Sequence, residues 1–463
     1  MRIMKTAGLA IVIATALMAN AAVAKVSAEE AKKLGVTGTP LTPMGAERAG
    51  NADGTIPAWT GGITQPPAGY KVGMHHLDPF AADKPLFTIT AQNYKEYGDK
   101  LSVGQQAMFA KYPDWKMIVY PTRRSASNPQ RTYEMTIKNA TTGELVGGEK
   151  GDGVSNVAEG LPFPILDSDP MIAGPEAMWN HKLKYKGVSA RRWSTQAPVT
   201  ASGKYVLVKI KEELLGLYYR QGATLEEINN VLIYFFQEVI SPPRLAGQIL
   251  LVHETLNSEI GPRQAWVYNP GQRRVRRAPN IEYDNPGTAS DNLRTTDMTD
   301  MFNGSLERFS YKLLGKREMY VPYNSYKAHS SDTKVEDLLK PGYIDPDYLR
   351  YELHRVYVVE ATLRPGMRHI NPKRTFYLDE DSWQILTTDH YDAQLALWRY
   401  SEAPSINYYD VPVFWSTLED HHDLKSGRYI SVGLDNQDEM YDFSFQTTPA
   451  MFSPQSLRQR GIQ

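Results

Sequence analysis

A row of short apolar segments bounded by turn residues fills the chain from Leu245 onward: "QILLVHETL", "QAWVYNP", "RRVRRAP", "FSYKLLGKREMYV", "HRVYVVEATL", "KRTFYLDE" and "SWQILTTDHYD". They are rich in β-branched and aromatic residues and too closely spaced for intervening crossover helices. Successive strands joined by short turns form an antiparallel meander. "YNPGQ" places Pro270 and Gly271 at the centre of an expected type II turn, and "LDEDSW" closes another hairpin. The chain therefore reads as mainly β, in the α+β class, with 28 tyrosines and frequent Gly and Pro matching a loop-rich sheet protein.

One of these segments carries four arginines, Arg273, Arg274, Arg276 and Arg277, directly after its turn. On a strand, Arg274 and Arg276 share one face while Arg273, Val275 and Arg277 share the other. The plain reading is a solvated outer strand whose guanidiniums meet acidic cross-strand partners. The functional reading is a basic rim that orients an anionic group.

The compartment decides between some partners. "MRIMKTAGLAIVIATALMANAAVA" joins a basic start (Arg2, Lys5), an apolar block and Ala22-Val23-Ala24, the order of a secretory leader, with cleavage expected after Ala24. The apolar block is shorter than the roughly 20 residues of a membrane helix, and no later stretch approaches that length. Cysteine is absent, which excludes disulfides and thiolate chemistry and fits a bacterial periplasm. With 51 basic against 52 acidic side chains, global charge carries no nucleic-acid signal.

After the leader, Ser27 and Glu30 form a capping box that predicts a short helix ending near Gly35. Residues 36–70 are too dense in Gly, Pro, Thr and Asn for regular structure, so residues 25–89 are read as an irregular arm, anchored by Trp59. The remainder, residues 90–463, is read as one β domain with helical elaborations and a C-terminal extension. Residues 90–112 read as helical, with Ser102 and Gln105 as a second capping box and Pro113 as the terminator. "RTYEMTIKNATTGELVG" alternates Tyr133, Met135 and Ile137 with Glu134, Thr136 and Lys138, which predicts a half-buried hairpin. "TLEEINNVLIYFFQEVISPP", with Thr224 and Glu227 as a capping box, an apolar face and a Pro-Pro stop, predicts a longer helix.

"AWVYNPGQRRVRRAP", "RVYVVEATLRPGMRHINPKRTFYLDEDSWQILTTDHYD", "LWRY" and "GVTGTPLTPMGAERAGNADGTIPAWTGGI" resemble a proteobacterial periplasmic family, domain of unknown function 1329, over nearly the whole mature chain. The aromatic strand followed by a Pro turn and Arg-Arg also resembles the strand pair of the lipoprotein carriers LolA and LolB. That resemblance implies a large curved antiparallel sheet, a half-barrel with helices on its concave side, that holds acyl chains. The resemblance to the unknown-function family further implies work beside a resistance-nodulation-division type permease and an outer-membrane barrel protein. The chain departs from those carriers in its greater length, its arm and its C-terminal segment.

A carrier of lipid-like cargo must shield about 0.8 kcal/mol per methylene from water. The expected cargo contacts are the same-face pairs Trp266 and Tyr268, Phe376 and Leu378, and Ile249 and Leu251, with Arg274 and Arg276 at the rim. Each also fits a packed core, and periodicity leaves open which face is concave. No cofactor or metal is expected: "LEDHHDLKSG" (Glu419, Asp420, His421, His422, Asp423) and "TTDHYD" (Asp389, His390, Asp392) lack zinc spacing, adjacent histidines on a strand point apart, and such residues are usually solvated loops and caps. A periplasmic glycan-directed enzyme and a structural adaptor remain the alternatives to a non-enzymatic carrier.

Overall fold

The computed structural model describes residues 26–278, 281 and 283–461, so the expected leader lies outside the described residues. The strands are β1 (Phe87–Thr90), β2 (Lys116–Val119), β3 (Glu144–Val146), β4 (Gly153–Ser155), β5 (Ser189–Val199), β6 (Val208–Leu215), β7 (Val231–Ser241), β8 (Ile249–Thr255), β9 (Gln264–Asn269) and β10 (Arg274–Arg277). They continue with β11 (Phe309–Pro322), β12 (Tyr351–Leu363), β13 (Lys373–Asp379), β14 (Ile385–Tyr391), β15 (Leu397–Glu402), β16 (Ser405–Tyr408), β17 (Val413–Ser416), β18 (Glu419–Asp423) and β19 (Arg428–Leu434). The α-helices are α1 (Ala28–Ala31), α2 (Val103–Lys111), α3 (Gln130–Thr142), α4 (Pro170–Leu183), α5 (Leu225–Ile228), α6 (Tyr326–His329), α7 (Val335–Leu338) and α8 (Pro454–Arg460). None of them is long and apolar enough to cross a membrane.

Fifteen strands form one open, curved sheet in the order β1-β2-β12-β13-β14-β15-β18-β19-β5-β6-β7-β8-β9-β10, with β11 also on β12. Besides β1 and β2, two antiparallel runs make it, β5 to β10 and β11 to β15 continued by β18 and β19, fused where β19 pairs with β5; β16 and β17 pair apart from it. All seven strand segments read from the sequence after Leu245 are present. Within this sheet a parallel contact joins Tyr351 of β12 to Val119 of β2.

Two segments fold differently from their sequence pattern. Residues 130–142 form α3 rather than a hairpin, and buried Thr132, Tyr133, Met135, Thr136, Asn139 and Ala140 recur at helical spacing. Polar anchors on that face decide it: Thr136 Oγ1 accepts from the Leu161 amide, and Asn139 Nδ2 donates to the Ala158 and Leu161 carbonyls. Conversely, the Thr224–Glu227 capping box starts only a single turn of helix. Asn229 and Asn230 then turn left-handed (φ 46° and 61°), and the β-branched and aromatic run Val231–Ser241 becomes β7.

The β9–β10 turn is also not type II. Gly271 keeps a negative φ, and Arg273 takes the left-handed position at φ 51° while the Asn269 carbonyl accepts from the Gln272 and Arg273 amides. Asn269 Oδ1 accepts from the Gly271 amide as well, and this local bonding favours the tighter turn.

The irregular arm lies along the body. Trp59 is buried edge-on against Tyr133 with Arg48 over its ring, and Trp383 Nε1 donates to the Met44 carbonyl. Arg124 ties the arm further, reaching the Glu47 carbonyl at 2.8 Å while its fork holds Asp381.

Register assigns every side chain to one of two faces. The inner face, on which α4 packs, runs from Phe376 through Thr388, Ser401, His421, Ile430 and Pro198 into Glu212, Leu214, Phe235 and Val252. The outer face carries Tyr377, Asp389, Glu402 and Asp420, and further along Phe236, Ile249, Leu251 and Tyr268. α2 covers its middle and α8 its β7–β9 end.

Candidate ligand cavity

Strands β6, β7 and β8 place Leu214, Ile233, Phe235, Leu250 and Val252 on the inner face. Opposite them lies a turn-rich segment, residues 287–303. Between the two is a cavity of about 110 Å³ with a predominantly apolar wall. That is comparable to an apolar cavity of about 150 Å³ that accepts benzene.

Charged groups close the cavity's other end. Arg192 pairs with Glu212, whose second oxygen accepts from Gln237 Nε2 at 2.8 Å, and the Arg192 guanidinium lies 4.8 Å over the Trp415 ring. Arg263 pairs with Glu254, which also accepts from Asn303 Nδ2. Asp300 holds Lys184 at 2.7 Å and Lys186 at 2.5 Å and accepts from Trp415 Nε1 at 2.9 Å. Burial, with Lys186 as neighbour, pushes Lys184 down to about 7, while its two lysines hold Asp300 far below the usual carboxylate range against the opposing effect of burial. Glu419 accepts from the Met301 amide and from Ser416 Oγ.

Beside the cavity the inner face continues as a basic strip. Arg374 contacts Asp297 Oδ2 through Nη1 at 2.7 Å and lies among the rings of Phe302, Phe309 and Phe376. Arg399 gives Nη2 to the Asn292 carbonyl and stacks 4.2 Å from the Trp398 ring. His390 Nε2 and His421 Nδ1 both meet the Ser401 hydroxyl, at 3.0 and 2.8 Å. Burial lowers the pKa of both histidines, keeping them neutral. These residues are thus not the solvated loops and caps expected from their sequence: Asp389, His390 and Glu419 to Asp423 sit on strands, and Asp389, His390, Asp420, His421 and His422 are almost fully buried. His421 and His422 do face opposite ways.

The candidates named from sequence fall into three places. Ile249, Leu251, Tyr268 and half-buried Trp266 form one outer-face cluster with Phe236, sealed by Phe452 and by Leu457 of α8. Phe376 and Leu378 are fully buried on the inner face beneath α4, with Phe302 against Phe376 at 5.4 Å. Arg274 and Arg276 stand exposed on the edge strand β10 opposite Asn269 and Val267, not opposite acidic partners. The cavity wall was missed by one residue of register: Leu250 and Val252 alternate with Ile249 and Leu251. Arg294 sits in "SDNLRTTD", a polar turn segment with no periodic signal.

Among the described residues one group has metal-ligand spacing, His354, Asp379 and Asp381. Both Asp381 oxygens are occupied by the Arg124 fork at 2.6 and 2.8 Å, so a guanidinium already supplies the positive charge there.

Together these features define a sheet protein with a small, partly charged internal cavity, and the chain belongs to the family of proteins of unknown function DUF1329, whose model matches residues 88–458. It is 48% identical over 453 residues to an uncharacterised protein of Pseudomonas aeruginosa, covering 97% of each chain. Among solved structures it is similar to a DUF1329 family protein from Desulfovibrio piger (15% identity, TM-score 0.43, 63% of this chain and 100% of that one). It is also similar to an outer membrane lipoprotein-sorting protein domain from Vibrio parahaemolyticus (14%, TM-score 0.42, 61% and 97%) and to a LolA superfamily protein from Nitrosomonas europaea (12%, TM-score 0.36, 59% and 93%).

Proposed function

We propose that the protein is a non-enzymatic periplasmic carrier that holds an apolar molecule on the inner face of its sheet and passes it between envelope components. The observation that carries this reading is the cavity between β6–β8 and residues 287–303, with Leu214, Ile233, Phe235, Leu250 and Val252 as its wall. An apolar ligand entering it exchanges water contact for these side chains, at about 25 cal/mol per Å². Cargo longer than the cavity requires the covering segment to move aside. Delivery between a resistance-nodulation-division type permease and an outer-membrane barrel is the route that the family resemblance suggests.

Native mass spectrometry of protein taken from its own periplasm, followed by organic extraction, tests the reading. Extra mass that extracts as a lipid, sterol or other apolar molecule supports the carrier. A clean apo mass with no uptake of supplied lipids overturns it in favour of an adaptor between envelope components.

A further inference from the structure

The cavity contains a buried cation that no carboxylate contacts among the described residues. Arg294 is 4% exposed and lines the cavity, yet among the described residues no ion pair reaches it. Nη1 donates to Thr299 Oγ1 at 2.8 Å, and the buried Nε has no hydrogen-bond partner. Burial lowers its pKa, with Glu419 and Glu212 opposing from beyond contact distance and Arg192 adding to the fall, and the guanidinium stays protonated at any physiological pH.

The other charged groups facing the cavity are already engaged. Glu212 serves Arg192 and Gln237, Glu254 serves Arg263 and Asn303, and Asp300 serves Lys184, Lys186 and Trp415. Glu419 is bound by the Met301 amide and Ser416, with His421 Nε2 3.8 Å away. The deficit extends along the strip next to the cavity. Arg374 Nε and Nη2, Arg399 Nε and Nη1 and His390 Nδ1 are buried without partners. Buried polar groups in native proteins are paired with protein, water or a ligand, and orphaned donors on two arginines of the inner face and on Arg294 of the segment covering it are the polarity an anion satisfies.

We propose that this cavity takes an amphiphile by both ends: an anionic head group, carboxylate or phosphate, on Arg294, and an alkyl chain along Leu214, Ile233, Phe235, Leu250 and Val252. This rests on the carrier reading and specifies its ligand class. A guanidinium fork offers two parallel donors to either anion, and the low dielectric around it strengthens the pairing. The small cavity suits a short chain, with longer chains following the wall outward as the covering segment moves.

The test compares three probes of equal chain length, octanoate, octyl phosphate and octanol, by titration calorimetry on the full mature chain and on Arg294→Gln. Each anion is expected to bind about tenfold to a hundredfold more tightly than octanol, the worth of a charged hydrogen-bonded contact. Arg294→Gln is expected to reduce that preference to within a few fold. Whichever anion binds the more tightly identifies the head group. Equal binding of octanol and both anions by the unmutated protein overturns the head-group assignment and leaves the carrier reading standing, whereas binding of none overturns both. The unmutated comparison decides the matter even if Arg294→Gln fails to fold. Where it does fold, a retained anion preference overturns Arg294 as the anchor.

Discussion

The two faces of the sheet, built from the same strands, solve opposite problems. On β14, β15 and β18 the outer face carries Asp389, Glu402 and Asp420, while the inner face carries His390, Arg399 and His421. Asp389 is fully served: it accepts from Ser102 Oγ, the Val103 and Gly104 amides at the start of α2, and Tyr377 Oη. Glu402 accepts from the Tyr351 and Tyr400 hydroxyls at 3.0 and 3.1 Å. The inner face retains donors without acceptors on Arg374, Arg399 and His390, whereas the outer face leaves both buried oxygens of Asp420 without a hydrogen-bond partner. At the β7–β9 end the contrast is one of cover: the outer face is sealed by Phe452 and α8, and the inner face encloses a cavity. The inner-face orphans are donors and lie beside a cavity, so an anion-binding function is to be sought on that face.

The largest expected effect breaks the sealed face. Phe452 is fully buried against Tyr234, Leu251 and Tyr268, and its carbonyl faces His253 Nε2 at 2.7 Å. Phe452→Ala should destabilise the protein by about 3–5 kcal/mol in urea unfolding, the cost of emptying a well-packed aromatic site. A loss below about 1 kcal/mol would mean that α8 does not hold the outer face closed.

On the inner face, Asp300→Asn should cost about 3 kcal/mol, because Lys184 and Lys186 lose their carboxylate while remaining buried. The loss should depend on pH. Lys184 is already pushed down to about 7 in the folded protein against its ordinary 10.5, so between those values the unfolded chain binds more protons and stability rises with pH. Removing the carboxylate deepens that depression, so the penalty should be greater at pH 6 than at pH 9. A pH-independent loss would show that Asp300 acts through Trp415 and not through the lysines.

Glu402 tests the acidic face with the opposite slope. Burial raises its pKa from 4.5 to about 7, so across that window the folded state holds the extra proton and stability falls as pH rises. Glu402→Gln keeps an oxygen for the two tyrosine hydroxyls and cannot ionise. Its stability relative to the unmutated protein should improve by about 1–2 kcal/mol between pH 5 and pH 8, measured by thermal melts at both. A constant difference would place the two tyrosine contacts, and not the ionisation, at the centre of Glu402's role.

Much of this contrast was legible before the structure, but not its orientation. Turn chemistry and β-branched runs disclosed β8 to β14, and the boxes at Ser27, Ser102 and Thr224 each do start a helix. Two readings failed where local pattern met tertiary demand: α3 was decided by polar anchors some twenty residues away, and β7 by two left-handed asparagines that no periodicity weighs. The candidate site failed to resolve for a simpler reason. Alternation assigns Ile249 and Leu251 to one face and Leu250 and Val252 to the other, but which face α8 covers depends on residues two hundred positions further along. Arg294 has no signal of its own, since a lone arginine in a polar turn looks solvated until the fold buries it.

The smallest effect discriminates most sharply between the faces. Phe235 and Trp266 are both half-buried aromatics on neighbouring parts of the sheet, but Phe235 lines the cavity and Trp266 packs beside Leu251 under α8. Trp266 is the one named as a cargo contact from the sequence, whereas Phe235 lies in the segment read there as a helix. Phe235→Ala removes apolar wall and should weaken binding of an apolar fluorescent probe about tenfold, equivalent to roughly 1.4 kcal/mol. Trp266→Ala should change it by less than about twofold, while lowering stability, because its ring contacts His253 at 4.8 Å and belongs to the sealed cluster. The reverse ranking would mean that α8 lifts off to admit cargo, moving the binding surface to the outer face with Ile249, Leu251, Trp266 and Tyr268 as its wall.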